Sequence, residues 1–363
     1  MDSFYWFDLE TFGTDPRRTR IAQFAGQRTD AELRPLGAPL VLFCQPADDL
    51  LPSPGAAMVT GLSPQHCAAN GLIEAEFVAR IHEELAQPGT CTVGYNSLRF
   101  DDEFVRCALY RNFRDPYARE WKHGNSRWDL LDLARLQHAL RPEGVAWPTR
   151  EDGFASFRLE HLAAANGIGH AHAHDALSDV EALIGLARCL RTAQPRLFEY
   201  YLGLRDKRRA AALLDYAAMT PVLHVSGRFP ASRRCAAVVV PIATHPLIGN
   251  RVLAFDLDGD PTELIDLPAE DIADRLYTPA ADLPEGVTRI PLKEIHLNQC
   301  PALVEWAHLR EADLQRLGID AARIEARSAQ LRAIPGLAER VRAAFAGGRG
   351  ARDPADADAA LYD

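Results

Sequence analysis

The sequence predicts an α/β fold for the N-terminal half of the chain, followed by a smaller module that contains β-strands. The first observation is a short apolar, aromatic run from Phe4 to Leu9, with further strand-like runs at 39–44 and 91–95. The second is a series of helical patterns after these runs. The third is a change after Pro195, where several short β-like runs follow one another. A chain of 363 residues is long enough for these two domains.

Apolar spacing and capping residues predict the helices. Residues 72–87 carry apolar side chains every four positions, which predicts an amphipathic helix. Two further helices are predicted at 127–140 and at 157–166, the second ended by Gly167. A long helix is predicted at 176–192, with Asp175 as its N-cap.

The second module is predicted to open with a basic helical stretch at 196–218. Its β-like runs lie at 222–225, 236–242, 251–257 and 287–290. Asp258-Gly259 predicts a hairpin turn, and residues 305–346 return to a helical pattern. The last segment, GGRGARDPADADAALYD, is acidic and poor in core-forming side chains.

The composition is that of a globular protein, with 47% hydrophobic and 25% charged residues. No apolar run approaches a membrane span, and the N-terminus lacks the features of a signal peptide. We therefore expect cytoplasmic residence and no membrane partner. Seven scattered cysteines without a C-x-x-C pair predict reduced, mostly buried thiols rather than disulfides or a cysteine zinc site.

The net charge of −10 argues against a polyanionic partner at long range, but the charge is unevenly distributed. The local balance is +3 over 111–128 and +5 over 201–234. The first stretch interleaves arginines with Phe113, Tyr117, Trp121 and Trp128, a composition typical of a single-strand groove. Alternatively, the two tryptophans belong to the core and the arginines extend outward from it. The sequence leaves both interpretations open.

Acidic residues recur near the predicted ends of strands. Asp8 and Glu10 lie two apart in the first strand and so share a face. Asp101 and Asp102 follow the strand at 91–95, and Asp179 lies early in the long helix, five residues after His174. Each acid alone has an ordinary explanation, such as a solvated edge or a helix N-terminus. Together, on an α/β background, they predict one site at an edge of the sheet.

Hydrolysis of a phosphodiester would use such a set. Two divalent ions about 4 Å apart can stabilise the attacking and leaving oxygens, and Mg²⁺ prefers hard oxygen ligands. A histidine that titrates near neutrality can accept the proton of the attacking water. The alternating His170, His172 and His174 also suggest zinc, but no cysteine or further histidine lies at a suitable spacing. Magnesium is therefore favoured.

The most specific motifs are FDLETFGTDP (7–16), GYNSLRFDDEFVRCALYRNFRDPY (94–117), NSRWDLLDLARLQHALRPEG (125–144), SFRLEHLAAANGI (156–168), AHDALSDV (173–180) and HVSGRF (224–229). They resemble the DnaQ-like exonucleases with four acids and a histidine, and within them the bacterial exonuclease I family. The similarity extends through LYTPAADLP (276–284) and RLGI (316–319) to the last residue.

The resemblance implies a ribonuclease H-like exonuclease domain over 1–187, built on a mixed sheet flanked by helices. It implies an SH3-like domain with β-strands and helices over 195–348. Residues 349–363 would be a stub of the family's C-terminal helical domain, which is otherwise largely absent. We therefore expect the chemistry to survive and processivity to be reduced.

The resemblance also implies roles for individual residues. Asp8, Glu10, Asp101 and Asp179 would hold two Mg²⁺ ions, for which Mn²⁺ can substitute, and His174 would be the general base. Contacts to the substrate are implied for Glu10, Arg158, Arg106, Tyr117, Trp121, Arg135, Arg141 and Lys207. Arg158 would contact the phosphate of the terminal nucleotide.

The implied function is 3′-to-5′ degradation of single-stranded DNA to 5′-mononucleotides, by a monomer acting in DNA repair and recombination. The implied partner is the C-terminal tail of single-stranded-DNA-binding protein, on a basic pocket that includes Arg141 and Tyr200; Thr220 replaces a lysine common there. Two alternatives stay open, an RNA-trimming relative and a catalytically weak single-strand-binding scaffold. The chain has no P-loop and no G-x-S-x-G motif, which excludes NTPases and serine hydrolases of those types.

Overall fold

The computed structural model describes residues 3–169 and 175–347, which form two compact units. The first unit comprises residues 3–134 and 143–199, and the second comprises 135–142 and 200–347, within the described part of the chain. The strands are β1 (Ser3–Thr11), β2 (Ile21–Thr29), β3 (Leu40–Phe43), β4 (Thr90–Gly94), β5 (Ser126–Asp129), β6 (Val222–Val225), β7 (Ala236–Thr244), β8 (Arg251–Asp256), β9 (Leu292–His296) and β10 (Ala302–Glu305).

The helices lie between and after these strands. They are α1 (Pro54–Thr60), α2 (Pro64–Asn70), α3 (Glu74–Leu85), α4 (Asp101–Arg111), α5 (Leu130–Leu140), α6 (Leu159–Ala165), α7 (Ala176–Ala193), α8 (Pro195–Gly203), α9 (Lys207–Ala212), α10 (Ala269–Tyr277), α11 (Glu311–Leu317), α12 (Ala321–Ala333) and α13 (Leu337–Gly347).

A mixed five-stranded sheet, in the order β3-β2-β1-β4-β5, forms the centre of the first unit and confirms the predicted sheet type. β1 is antiparallel to β2 and parallel to β4, and β4 is parallel to β5. Because parallel strands end at the same edge, the ends of β1, β4 and β5 lie together there. That edge also receives the start of α4, which follows β4 after a short turn.

The two faces of β1 are both covered, which explains its aromatic sequence. Tyr5, Phe7 and Leu9 belong to a core cluster that includes buried residues of α3 and α4. Phe4 and Trp6 occupy the opposite face, where the Phe4 ring lies 6.4 Å from that of Trp128. α7 packs against both β1 and β2. The strand is thus held rigidly on both sides up to its acidic residues.

β2 was missed by the sequence analysis, which predicted no strand between the first run and residue 39. Its sequence, IAQFAGQRT, mixes glutamines and a glycine with apolar residues, yet it is buried along nearly its whole length. Gly26 explains part of this mixture, since a Cβ there would lie only 2.4 Å from Cε1 of Tyr5. Only glycine permits the Tyr5 ring to cross the strand so closely.

The helix predicted at 127–140 is wrong in its first residues. Residues up to Asp129 form β5, which pairs in parallel with β4, and α5 begins at Leu130. The strand continues directly into the helix, and an Asp129 carboxylate oxygen accepts a hydrogen bond from Leu131 N at 3.0 Å. The helices predicted at 72–87, 157–166 and 176–192 are confirmed as α3, α6 and α7. Gly167 has φ 66°, and the Asp175 side chain caps α7.

The second unit contains an antiparallel five-stranded sheet in the order β10-β6-β7-β8-β9. The strands predicted at 222–225, 236–242 and 251–257 are confirmed. The strand predicted at 287–290 is wrong, because β9 begins at Leu292, and β10 occurs just before the region predicted to be helical. The hairpin at Asp258-Gly259 is also wrong, since the chain turns there but passes through α10 before returning as β9.

Two further features agree with expectation. The basic stretch predicted as helical over 196–218 contains two helices, α8 and α9. The second of them, α9, ends at Ala212, before the predicted end. All seven cysteines are free thiols, and only Cys189 is not fully buried. Among the helices that the structure describes, none is both long and apolar enough to cross a membrane.

Candidate active site

Three carboxylates meet at the edge of the first sheet. One oxygen from each of Asp8, Glu10 and Asp179 lies within 4.8 Å of the other two. Asp8 and Glu10 come from β1, where the predicted shared face is confirmed, and Asp179 comes from the first turn of α7. The pairing of β1 with β2 shifts register between Glu10 and Thr11, a local irregularity of the kind found near active sites.

Asp101 is the fourth acid of this site and opens α4. Its charge interacts with those of Asp8 and Glu10, and its side chain is buried. The turn that leads to it is tight, because a Cβ on Gly94 would lie 2.4 Å from Cβ of Ser97. Asn96 takes the left-handed conformation there, with φ 64°. We call Asp8, Glu10, Asp101 and Asp179 the acidic cluster.

Burial and mutual repulsion raise the pKa values of Asp8, Glu10 and Asp101. Desolvation raises the pKa of Asp8 well above its ordinary range, and the charges of Asp101, Asp179 and Glu10 raise it further. Burial, then Asp179 and Asp101, raises the pKa of Glu10 to about 8. Burial and Asp102 raise the pKa of Asp101 to about 8. The site is therefore unfavourable to negative charge unless a cation joins it.

The donor set fits a divalent cation. Within the described residues, no lysine or arginine pairs with Asp8, Glu10 or Asp101, although these carboxylates are largely buried. Buried carboxylates without a counter-ion are costly, and a hard cation bound by their oxygens would remove that cost. The acidic cluster therefore has the composition and spacing of a metal centre.

Asp102, the neighbour of Asp101, has a different environment. Its two carboxylate oxygens accept hydrogen bonds from Arg119 Nη2 at 2.5 Å and from Arg127 Nη1 at 3.0 Å. Burial alone would raise the pKa of Asp102, but Arg127 and Arg119 outweigh it and hold the pKa below the ordinary value. Of the two consecutive acids, Asp101 thus belongs to the acidic cluster, whereas Asp102 pairs with arginines.

A cleft of about 590 Å³ adjoins the acidic cluster, with Glu10 in its wall. Its other walls come from the segment after β1, from α1 and from the turn before α4, including Phe12, Thr19, Val59 and Phe100. Leu51, at its rim, is 93% exposed, so an apolar surface faces solvent beside the acids. A flat, partly apolar group such as a nucleobase could pack there while its phosphate approaches Glu10.

The aromatic residues of 111–128 divide between groove and core. Trp128 is fully buried, and its ring packs edge-on against Phe198 at 5.0 Å. Phe113, Tyr117 and Trp121 are exposed, with Trp121 63% accessible. The core interpretation is therefore right for Trp128 and wrong for Trp121. Exposed rings beside arginines are suited to stacking with unpaired bases.

The predicted basic contacts of the first unit differ in accessibility. Arg158 is largely exposed, and its Nε lies 2.6 Å from a carboxylate oxygen of Glu160. Arg106 is 12% exposed, pairs with Glu103 and Glu120, and lies 5.1 Å from the centre of the Tyr117 ring. Arg158 can thus turn to a phosphate easily, whereas Arg106 is already engaged within the fold.

The remaining predicted contacts lie in the second unit. Lys207 is exposed at the start of α9, and Arg135 packs against Gly227, where a Cβ would lie 2.7 Å from its Nη2. Arg141 Nη1 lies 2.5 Å from an Asp313 oxygen. The Tyr200 hydroxyl donates to Leu303 O at 2.9 Å, and burial raises the pKa of Tyr200 to about 12.

His174, predicted as the general base, lies outside the described residues, as do His170 and His172. Asp175, the residue that follows His174, caps α7 through Ser178 N at 3.3 Å. Its side chain also accepts a hydrogen bond from Gln23 Nε2 at 3.4 Å. The role of His174 stays a prediction.

Sequence reasoning missed Asp129 as a residue that shapes the site. Asp129 is fully buried, and its oxygens accept hydrogen bonds from Asn96 N at 2.9 Å and Leu98 N at 3.4 Å. Burial and the charge of Asp132 raise the pKa of Asp129 to about 7. Its side chain therefore holds the turn before Asp101. The signal was an aspartate at the end of a strand, hidden because that segment was assigned to a helix.

Two protein-family models match the chain. The family described as "Exonuclease" matches residues 5–187, and the family described as "Exonuclease I SH3-like domain" matches residues 205–347. Among curated proteins, the chain is 47% identical over 361 residues to exodeoxyribonuclease I of Escherichia coli (strain K12). That alignment covers 99% of this chain and 76% of the relative.

Solved structures give the same result. The fold matches that of E. coli exonuclease I in complex with a dA16 oligonucleotide with a TM-score of 0.96 and 47% identity, covering 100% of this chain and 77% of the other. It matches the moderately thermophilic exonuclease I from Methylocaldum szegediense with a TM-score of 0.93 and 52% identity, covering 100% and 78%. The similarity thus includes both units.

Proposed function

The chain belongs to the exodeoxyribonuclease I family, and from this premise we propose how it acts as a 3′-to-5′ exonuclease on single-stranded DNA. The acidic cluster would hold two Mg²⁺ ions beside the last phosphodiester. The observation that carries this assignment is the convergence of Asp8, Glu10 and Asp179 oxygens within 4.8 Å. The ions, when bound, would supply positive charge to the attacking and leaving oxygens.

The protein's own residues would bind and orient the terminal nucleotide and would deprotonate the attacking water. The exposed Arg158 would turn from Glu160 to the terminal phosphate, a charge-assisted contact that arginine favours. His174 would accept the proton of the attacking water, as a neutral imidazole can near pH 7. Glu10, in the wall of the cleft, would meet the terminal nucleotide whose base packs on the apolar surface at α1.

Upstream nucleotides would be held mainly by stacking and by cations. The exposed Tyr117 and Trp121 provide stacking surfaces for bases, with Arg106 held against the Tyr117 ring. In the second unit, the positive charges of Lys207, Arg135 and Arg141 would attract the phosphates of the DNA backbone. Because stacking accepts any base, this arrangement supports degradation without strong sequence preference.

We also propose that the second unit carries the contact with single-stranded-DNA-binding protein, whose tail is acidic and apolar. Arg141 would meet the tail's carboxylates, and Tyr200 would pack beside it. The placement of the two residues supports this, since both lie in the second unit and the side chain of Arg141 is 24% exposed. We also propose domains over 1–187 and 195–348, and the family matches at 5–187 and 205–347 support this division.

Digestion of a 5′-labelled single strand tests the proposal. With Mg²⁺, we expect a ladder that shortens from the 3′ end and releases 5′-mononucleotides, and with chelator we expect no ladder. A matched RNA strand should be degraded far more slowly, because discrimination depends on contacts to the 2′ position. Equal degradation of RNA would favour the RNA-trimming alternative. Tight DNA binding without cleavage would favour the scaffold.

A further inference from the structure

A chain of ion pairs includes Asp102, the residue after Asp101, and four other charged residues whose side chains are at most 12% exposed. Apart from Arg106, none of them has a role in the steps described above. At its centre is Asp102, whose oxygens are bound by Arg119 and Arg127. Arg127 Nε also lies 3.1 Å from Glu120, and Arg106 Nε lies 2.7 Å from the same carboxylate. We call these five residues, Asp102, Arg106, Arg119, Glu120 and Arg127, the buried ion network.

The burial of Arg119 makes this network costly. Its side chain has no solvent exposure, and within the described residues its Nε and Nη1 have no hydrogen-bond partner. Removing a guanidinium from water costs several kcal/mol, which ion pairs in the interior only partly return. Hydrophobic residues of similar volume would often serve stability as well or better. The network is therefore poorly explained by stability alone.

The position of the network indicates what it serves. Asp102 is the next residue after Asp101 in the first turn of α4, so fixing one carboxylate fixes the backbone of the other. Glu120 and Arg119 come from the segment between Tyr117 and Trp121, the exposed aromatic residues. The buried Asn125 ties this segment down, with its Nδ2 3.1 Å from Arg119 O and its Oδ1 3.1 Å from Thr90 N.

We propose that the buried ion network is a positioning device that aims Asp101 at the metal site and joins it rigidly to the aromatic segment that holds the DNA. This rests on the proposed function, because it assumes that the acidic cluster binds metal and that Tyr117 and Trp121 meet the strand. Residues that hold metal ligands from behind typically contribute a factor of about 10–100 to metal affinity or activity. The assigned residues are positioning residues, since none of them belongs to the acidic cluster itself.

The experiment compares Asp102→Asn, Arg119→Met and the double variant with the wild-type chain. Binding of Mn²⁺ is measured by isothermal titration calorimetry without DNA, and kcat and KM are measured with a single-stranded oligonucleotide and Mg²⁺. Each single variant should weaken Mn²⁺ binding and lower kcat by roughly 10-fold or more. The double variant should lose no more than the worse single variant, because both break the same connection. Arg119→Lys should recover part of the loss.

Arg28→Met is the matched control. Arg28 is partly buried in the same unit, with 13% of its side chain exposed. It donates to Glu84 Oε2 at 3.1 Å and to Ser3 Oγ at 2.7 Å, and it lies at the opposite end of β1 from the acids. It should lower the melting temperature while leaving the Mn²⁺ affinity and kcat near wild type. The inference is overturned if Asp102→Asn and Arg119→Met bind Mn²⁺ as the wild type does, or if Arg28→Met loses as much affinity as they do.

Failure of the proposed function would look different. If the wild-type chain neither bound Mn²⁺ at the acidic cluster nor cleaved DNA with metal, the proposed function would be refuted. The positioning role of the buried ion network would then be refuted as well, because it rests on that function. If the wild type binds Mn²⁺ and cleaves DNA, and the network variants do so equally well, the inference is overturned but the proposed function is not.

Discussion

The Asp179→Ala variant is expected to lose DNA cleavage almost completely while keeping its fold. Asp179 provides one of the three carboxylates whose oxygens converge within 4.8 Å, and it comes from a different element than the other two. Without it, a cation would lose a ligand and several kcal/mol of transition-state stabilisation. That corresponds to a fall in kcat/KM of about 10³-fold or more. Glu10→Ala should have a similar effect, measured on the same labelled oligonucleotide.

Loss of activity by Asp179→Ala would not come from unfolding. The pKa of Glu10 in the folded chain, about 8, lies above its ordinary value of 4.5. The folded state therefore binds more protons than the unfolded state between these values, so stability falls as pH rises toward 8. Asp179 contributes to this repulsion, so removing it should leave the variant at least as stable as wild type at pH 8.5 in chelator.

Glu181→Ala is the control for this prediction, because Glu181 is an exposed acid two residues further along α7. It should cleave DNA at the wild-type rate. DNA binding by Asp179→Ala, measured by fluorescence anisotropy with Ca²⁺, should stay close to wild type. Wild-type cleavage by Asp179→Ala would refute the assignment of this residue to the metal site.

The His174→Ala variant is expected to lower kcat by about 10²- to 10⁴-fold, the usual contribution of a general base. KM and DNA affinity should change little, because the imidazole acts on the attacking water and not on the strand. The wild-type rate should fall more steeply on acidification than the rate of the variant, because protonation of the imidazole removes the base. Single-turnover rates across pH 5.5–8 measure both effects.

His170→Ala and His172→Ala are matched controls, since they belong to the same alternating run. Both should retain near-wild-type rates if His174 alone accepts the proton. Equal losses in all three variants would point instead to a shared role of the run, such as binding a metal through the imidazoles.

The acidic cluster was predictable from the sequence because its members obey local rules. Asp8 and Glu10 had to share a face of β1, and Asp179 had to lie near the start of a helix that Asp175 caps. The choice between Asp101 and Asp102 came from the family resemblance. Its physical basis is visible only in the fold, where Arg119 and Arg127 bind Asp102.

The errors have physical causes as well. β2 was missed because its glutamines and Gly26 do not alternate like a half-buried strand, although it is buried beside β1. β5 was taken for helix because a parallel strand that runs directly into α5 leaves no boundary in the sequence. Arg119 resembled a groove arginine, and only its complete burial reveals its role within the core.

The number of divalent ions bound per chain tests the central claim most directly. Mn²⁺ binding, followed by calorimetry and by electron paramagnetic resonance, should show two ions per wild-type chain with the magnetic coupling of ions about 4 Å apart. Asp179→Ala should bind fewer ions, and without that coupling. A wild-type chain that binds a single ion, no ion, or two uncoupled ions would contradict a paired-metal site at the acidic cluster.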